Sequence, residues 1–160
     1  MKRKFTSRTR WREKLEKPQQ PKVVQIPPKM SRFGKGTMLI PTPRLVDALI
    51  RRVPKGRLVT GAELRRKLAA DFATDVTCPL TTGIFVRIAA EAAEEDRVNG
   101  KRRLTPYWRV IKDDGGLNPK YPGGVDSQVR YLRAEGFTVT RQSRKRPTVK
   151  EFERRLYTFT

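Results

Sequence analysis

Apolar residues recur at helical spacing in three stretches, and each stretch is bracketed by residues that start or stop helices. Leu45, Val46, Leu49 and Ile50 follow Pro43, a residue tolerated in a first helical turn. The pattern predicts a helix from about Pro43 to Val53, ended by Pro54 and Gly56. Arg57 to Val59 reads as a short extended link. Thr60 with Glu63 then makes a capping-box pattern ahead of Leu64 and Leu68, predicting a second helix that stops near Phe72. Pro79 opens a third, in which Leu80, Ile84 and Ile88 recur every four residues beside Phe85, Ala89 and Ala92. That stripe is expected to pack inward, leaving Thr81, Thr82 and Arg87 on the other side.

Further along, Trp108–Ile111 and the Asp114-Gly115-Gly116 turn predict a short β-hairpin or wing. Asp126–Glu135 reads as a core helix with Val129 and Leu132 inward and Gly136 as its stop, and Val149–Tyr157 as a terminal helix. Ahead of Met38, four prolines (Pro18, Pro21, Pro27, Pro28) stand among lysines and arginines with little apolar content, so residues 1–36 are expected to form a basic, flexible arm. Within it, Trp11–Lys17 suits a short helix and Val23–Ile26 an extended segment. Three helices joined by a short link and a polar turn suit a helix-turn-helix, whose later helix enters the major groove. The expected architecture is therefore α+β: a mainly helical, winged helix-turn-helix-like domain over residues 37–136, with a small β-hairpin and a basic C-terminal extension over 137–160.

Charge changes the picture from fold to partner. The 160 residues hold 37 Lys and Arg against 16 Asp and Glu, a net charge of +21. Residues 1–36 carry +10, residues 137–160 carry +5, with Arg141, Arg144, Lys145 and Arg146 in one run, and the middle hundred carry +6. Ordinary small domains stay within about 2 to 8 units of neutrality, so a polyanionic partner is expected, and nucleic acid is favoured. No apolar run approaches bilayer length and the basic N-terminus lacks an apolar region like that of a signal peptide, so a cytoplasmic location, nucleoid association included, is expected. With no histidine and Cys78 as the one cysteine, the common zinc sites and histidine-dependent catalysis are excluded, and no cofactor is expected. A monomer is expected.

Four motifs then occur in a telling order: Val53-Pro54-Lys55-Gly56-Arg57-Leu58-Val59-Thr60, Thr105-Pro106-Tyr107-Trp108-Arg109-Val110-Ile111, Tyr121-Pro122-Gly123-Gly124 and Leu132-Arg133-Ala134-Glu135-Gly136. Over residues 40–136 the chain resembles the DNA-binding domain of the methylated-DNA-protein-cysteine methyltransferases, the O6-alkylguanine-DNA alkyltransferases. The resemblance implies a helix-turn-helix that binds duplex DNA and flips an alkylated guanine into a pocket. It also implies alkyl transfer to the cysteine of a Pro-Cys-His-Arg motif, and here that motif reads Pro106-Tyr107-Trp108-Arg109. A phenol is the poorer nucleophile and indole is no general base, so the chemistry is expected to be lost. In this the chain is similar to the alkyltransferase-like proteins, which lack the cysteine, bind alkylguanine without repairing it and signal to excision repair; a repair-protein partner follows from that likeness. Glu135 and Asn99 fall on the family's supporting glutamate and turn-bracing asparagine. Gly61 stands where the family has a nucleotide-rotating tyrosine, Leu80 lies near its base-stack arginine, and an Ala- and Glu-rich insertion separates Ile88 from Asn99.

The candidate residues follow. Thr81, Thr82, Arg87, Lys101, Arg102, Arg103 and Arg109 are proposed DNA contacts, with Arg109 alternatively holding carbonyls of its own turn. Asn99, Tyr107, Trp108 and Tyr121 either line a base pocket or fill the volume of a disused active site. Glu91, Glu94 and Glu95 would repel phosphates, so groove contacts are expected only from the first half of the third helix. Two other readings stand beside DNA binding without catalysis: a divergent alkyltransferase using Cys78 at a helix N-terminus, and an RNA- or ribosome-associated basic protein.

Overall fold

The computed structural model describes residues 10–141 and 146–160, so the basic-run residues Arg144 and Lys145, and residues 1–9 of the arm, lie outside it. Its elements in chain order are α1 (Trp11–Glu16), β1 (Lys22–Gln25), β2 (Thr37–Ile40), α2 (Pro43–Arg51), β3 (Val59–Thr60), α3 (Gly61–Asp71), β4 (Val76–Thr77), α4 (Pro79–Val98), β5 (Val110–Ile111), α5 (Gly124–Ala134), β6 (Val139–Thr140) and β7 (Thr148–Val149).

The start signals act as their chemistry dictates. Thr42 Oγ1 accepts the amide of Leu45 and Thr60 Oγ1 that of Glu63, and Pro43 and Pro79 each occupy a first helical turn. Each cap satisfies an amide that the helix leaves without a partner. The core then forms where α2, α3 and α4 turn Val46, Leu49, Ile50, Leu64, Leu68 and Val86 toward Tyr107, Ile111, Leu117 and Leu132.

On α4 the expected inward face holds for Ala89 and Ala92, which are buried, and for Phe85 and Ile88, which pack against the core, with Arg87 outward, but it fails in the first two turns. Leu80 and Ile84 are each 58% exposed, while Thr82, Val86, Ala89, Ala93 and Asp96 form the buried seam. Alanines explain it: Ala89, Ala90, Ala92 and Ala93 let α1 and α2 lie close across the helix, and that contact fixes which face is inward.

Residues 10–36 are built into the domain, in contrast to an arm. Leu15 of α1 belongs to the core, and the Glu95 carboxylate accepts the amides of Trp11 and Arg12 at 3.0 and 3.2 Å, capping α1 from another helix. Arg12 also pairs with buried Asp96 at 2.9 Å. The Ala- and Glu-rich insertion thus makes α4 a 20-residue helix whose second half is the dock for α1. β1 pairs antiparallel with β2, Val23 opposite Leu39, and β2 runs parallel to β4.

The expected wing is corrected likewise. Tyr107–Arg109 form a 3-10 turn, β5 pairs parallel with β3, and Lys112–Gly116 close as a tight turn rather than a two-stranded hairpin. The partner strand comes from the C-terminal extension: the Val149 amide donates to Gly115 O and the Leu117 amide to Pro147 O. Gly115 has a left-handed φ of +85°, and a Cβ there would lie 2.4 Å from the Phe152 ring, so the turn requires glycine. In place of the expected terminal helix, Phe152–Arg155 are a 3-10 turn after β7, and Leu58 bonds to Arg155 and Tyr157 so that the tail extends the edge of β3. Among the described residues no helix is long and apolar enough to cross a membrane.

Candidate nucleic-acid interface

Thr60 and Cys78 start α3 and α4, and the strands β3 and β4 that precede them bring the two helix N-termini to one side of the molecule. Between these N-termini and the segment 110–121 lies a cavity of about 290 Å³. Gly61 and Arg65 of α3 form one wall, Pro79, Thr82, Gly83 and Val86 of α4 a second, and Val110–Asp113, Asn118 and Tyr121 the third. Its volume sits at the lower edge of small-ligand clefts, roughly 300–1,000 Å³.

The third wall is held by side chains whose polar atoms face inward. Gln128 of α5 is fully buried; its Oε1 accepts the Asn118 amide at 2.9 Å and its Nε2 donates to Trp108 O and Val110 O. Tyr121 donates its hydroxyl to Val110 O at 3.0 Å, and burial pushes that phenol above its ordinary range. Asp113 Oδ1 accepts the Ala62 amide at 3.1 Å, so the one carboxylate on the rim is engaged by the N-terminus of α3, with Arg65 3.9 Å away. Arg65 and Lys112 leave the cavity lined with cationic groups.

Outside the cavity, the exposed stripe of α4 is Leu80, Ile84 and Arg87, with Gly83 at the cavity's edge. Two large apolar side chains one turn apart there are exposed, the kind of patch that marks a contact site.

The residues proposed from sequence divide. Tyr121 lines the cavity; Tyr107, Trp108 and Asn99 do not. Tyr107 is completely buried, edge-on to Trp108 and Tyr121 at 5.4 and 5.3 Å, and its hydroxyl donates to Glu94 Oε1 at 2.7 Å. Burial first, and the Glu94 carboxylate next, hold that phenol protonated. Trp108 stacks on Tyr131 at 4.2 Å and donates Nε1–H to Glu135. The two aromatics are therefore packed among core side chains rather than lining the cavity. Asn99 is exposed at the C-cap of α4, about 24 Å along the helix axis from Gly83, and so lies away from this cavity.

Among the proposed DNA contacts, Thr82 is turned inward, its hydroxyl donating to Cys78 O at 2.7 Å, because the α4 seam runs through it. Thr81 is half-buried near the same carbonyl. Arg87 is exposed with its guanidinium 5.9 Å from the Trp11 ring. Lys101 lies 3.4 Å from Asp96. Arg102 and Arg103 open into a separate concavity of about 410 Å³ with Arg51, Leu104 and Pro106. Arg109 takes the structural alternative: it grips Glu135 with Nε and Nη2 and donates Nη1 to Val53 O at 2.7 Å. Cys78 is buried.

No family model matches the sequence, and no curated protein matches it. Among solved structures, that of S. pombe Atl1 in complex with damaged DNA containing O6-carboxymethylguanine matches with a TM-score of 0.52 at 15% identity, covering 72% of this chain and 94% of that one. The two chains share a fold. Sequence reasoning missed Arg65, Lys112, Asp113 and Gln128. For Gln128 the signal was present, a polar residue one turn before Leu132 on the inward face of α5.

Proposed function

We propose that the protein binds DNA without catalysis, setting the N-terminal halves of α3 and α4 against a duplex and receiving an extrahelical guanine alkylated at O6 in the cavity between them. The cavity carries this reading: it is a cation-rimmed concavity at the paired N-termini of a helix-turn-helix, with Tyr121 in its wall. The fold is shared with Atl1, whose structure holds DNA containing O6-carboxymethylguanine, and the net charge of +21 supplies phosphate affinity. Tyr107, at the position of the family's nucleophile, is buried, protonated and committed to Glu94, so nothing there accepts an alkyl group. Cys78 is buried as well.

Extrusion of a base costs a few kcal/mol of unstacking. Leu80 and Ile84 offset that cost by filling the vacated stack, as apolar wedges inserted between base steps do in DNA-kinking proteins. Arg65 and Lys112 take the flanking phosphates, and a repair protein that reads the resulting complex is the partner.

Gly83 gives the test. It lines the cavity, and no atom lies within 4 Å of where its Cβ would be, so Gly83→Leu grows into the cavity mouth and leaves the core intact. Wild type is expected to prefer an O6-carboxymethylguanine duplex over the guanine duplex at one salt concentration. Gly83→Leu is expected to shrink that preference about tenfold, within the 1–3 kcal/mol of one stacked base. Equal wild-type affinities for the two duplexes would sink lesion recognition, and a variant that keeps the preference would move it away from this cavity. Tighter binding to structured RNA than to either duplex would instead support the RNA reading.

A further inference from the structure

But for Ile40, the β1–β2 hairpin precedes residues 40–136, over which the family resemblance runs. Its tip, residues 26–36, is built for rigidity: Pro27 and Pro28 lead into a 3-10 turn, Met30 donates its amide to Pro27 O, Gly34 donates to Ser31 O, and Ile26 donates to Gly36 O. Asp75, just before β4, clamps the base of the hairpin by accepting from both the amide and the hydroxyl of Thr37.

The tip is also one-signed. Residues 17–46 contain no Asp or Glu, and Lys29, Arg32 and Lys35 are all exposed, with no carboxylate partner among the described residues. Three unpaired cations on one rigid turn repel each other unless a polyanion lies beside them.

Its position supplies the polyanion. Phe33 at the tip lines a concavity of about 330 Å³ together with Ala62, Arg65 and Arg66 of α3, Val76 and Pro79. Arg65 and Pro79 are also walls of the cavity between α3 and α4, so the two concavities share a partition. Arg32 lies over the Phe33 ring at 4.6 Å, which keeps its guanidinium next to this groove. Asp75 is the one carboxylate lining the groove, and Thr37 occupies it.

From this juxtaposition we infer that the hairpin tip is a second DNA contact, a finger that grips duplex phosphates beside the α3–α4 face through Lys29, Arg32 and Lys35. The inference rests on the DNA-binding reading above and extends it past the base-receiving cavity to the backbone that flanks it. The finger adds affinity and salt dependence without reading sequence or lesion, since phosphates carry neither.

The test compares the full chain with Lys29→Ala/Arg32→Ala/Lys35→Ala on an undamaged duplex, titrated over a range of salt concentrations. Each phosphate contact contributes about 0.9 to the slope of log affinity against log salt, so the triple variant is expected to flatten the slope by about 2 to 3. A matched loss of charge at exposed positions elsewhere, Lys55→Ala/Arg130→Ala/Lys150→Ala, is expected to change it by less than about 1. All six residues are exposed, and thermal melting checks that both variants fold. If wild type binds and the hairpin variant keeps the wild-type slope, or the two triples lose equally, the finger is overturned while the DNA reading stands. If wild type binds no duplex, the reading of the interface falls and the finger with it.

Discussion

Glu135→Ala is expected to lower the unfolding free energy by about 3–5 kcal/mol, the range for breaking a buried ion pair from one side. Glu135 receives four donors: Nε and Nη2 of Arg109, Nε1 of Trp108 and the Gly56 amide. Arg109 and Glu135 keep only 13% and 7% of their side-chain surface exposed. Removal of the carboxylate leaves a desolvated guanidinium beside Val53 O and orphans an indole and an amide. Glu135→Gln keeps much of the shape and loses the charge. Burial raises the Glu135 pKa, but the hydrogen bonds from Arg109, Trp108 and Gly56 outweigh it, and the carboxyl is held below its ordinary value. The sign follows from linkage: the stability from this depressed carboxylate is complete above the unfolded value near 4.3 and fades as pH falls through the folded one. Urea unfolding across pH should therefore show a constant gap between wild type and Glu135→Gln above about pH 5 and a closing gap below about pH 4. A gap that widens in acid would show that the charge is not what Glu135 contributes.

Tyr107→Ala is expected to cost a comparable amount, about 3–5 kcal/mol, because a completely buried ring at the junction of α4, the 3-10 turn and α5 leaves a cavity that its neighbours cannot close. Tyr107→Phe isolates the hydroxyl. Glu94 then keeps Tyr131 at 2.6 Å and Arg97 at 2.7 Å, so the loss is smaller, about 1 kcal/mol. Tyr131, pushed up to about 12 by burial and then by Glu94, stays a donor through neutral pH. The functional outcome separates core from pocket. Tyr107→Phe should retain the wild-type ratio of affinities for alkylated and plain duplexes, and Tyr107→Ala should lose both in proportion to its unfolding. A selective loss of the alkylated duplex in a variant that melts like wild type would return Tyr107 to the base site.

Much of the frame was legible because its signals are local. Thr60 and Glu63 lie three residues apart, Pro43 and Pro79 announce helix starts within a single turn, and the four short motifs carry the fold by their order. What the sequence concealed depends on distant partners. Leu80, Ile84 and Ile88 have the same period as Thr82, Val86 and Ala90, so periodicity could not choose between the two faces; the close crossing of α1 over the alanines did. Glu95 read as a charge that repels phosphate, and it is an N-cap for a helix 84 residues away. The adjacent aromatics Tyr107 and Trp108 read equally as pocket and as packing, and burial with the Glu94 and Glu135 contacts decides for packing.

That long-range cap also orders events in time. Six residues cannot sustain a helix in water, since nucleation costs more than one turn returns, so α1 exists only while Glu95 and Asp96 hold it. During synthesis, the docking groove is not complete until α4 has left the ribosome, and the α1 segment waits without its dock until then. In the finished protein the same dependence makes α1 the element that peels away most easily, a local opening with its own free energy below that of global unfolding. Backbone amides of α1 should then exchange with solvent faster than those of α2 and α4, and their exchange rate becomes a direct gauge of how tightly that helix is clasped.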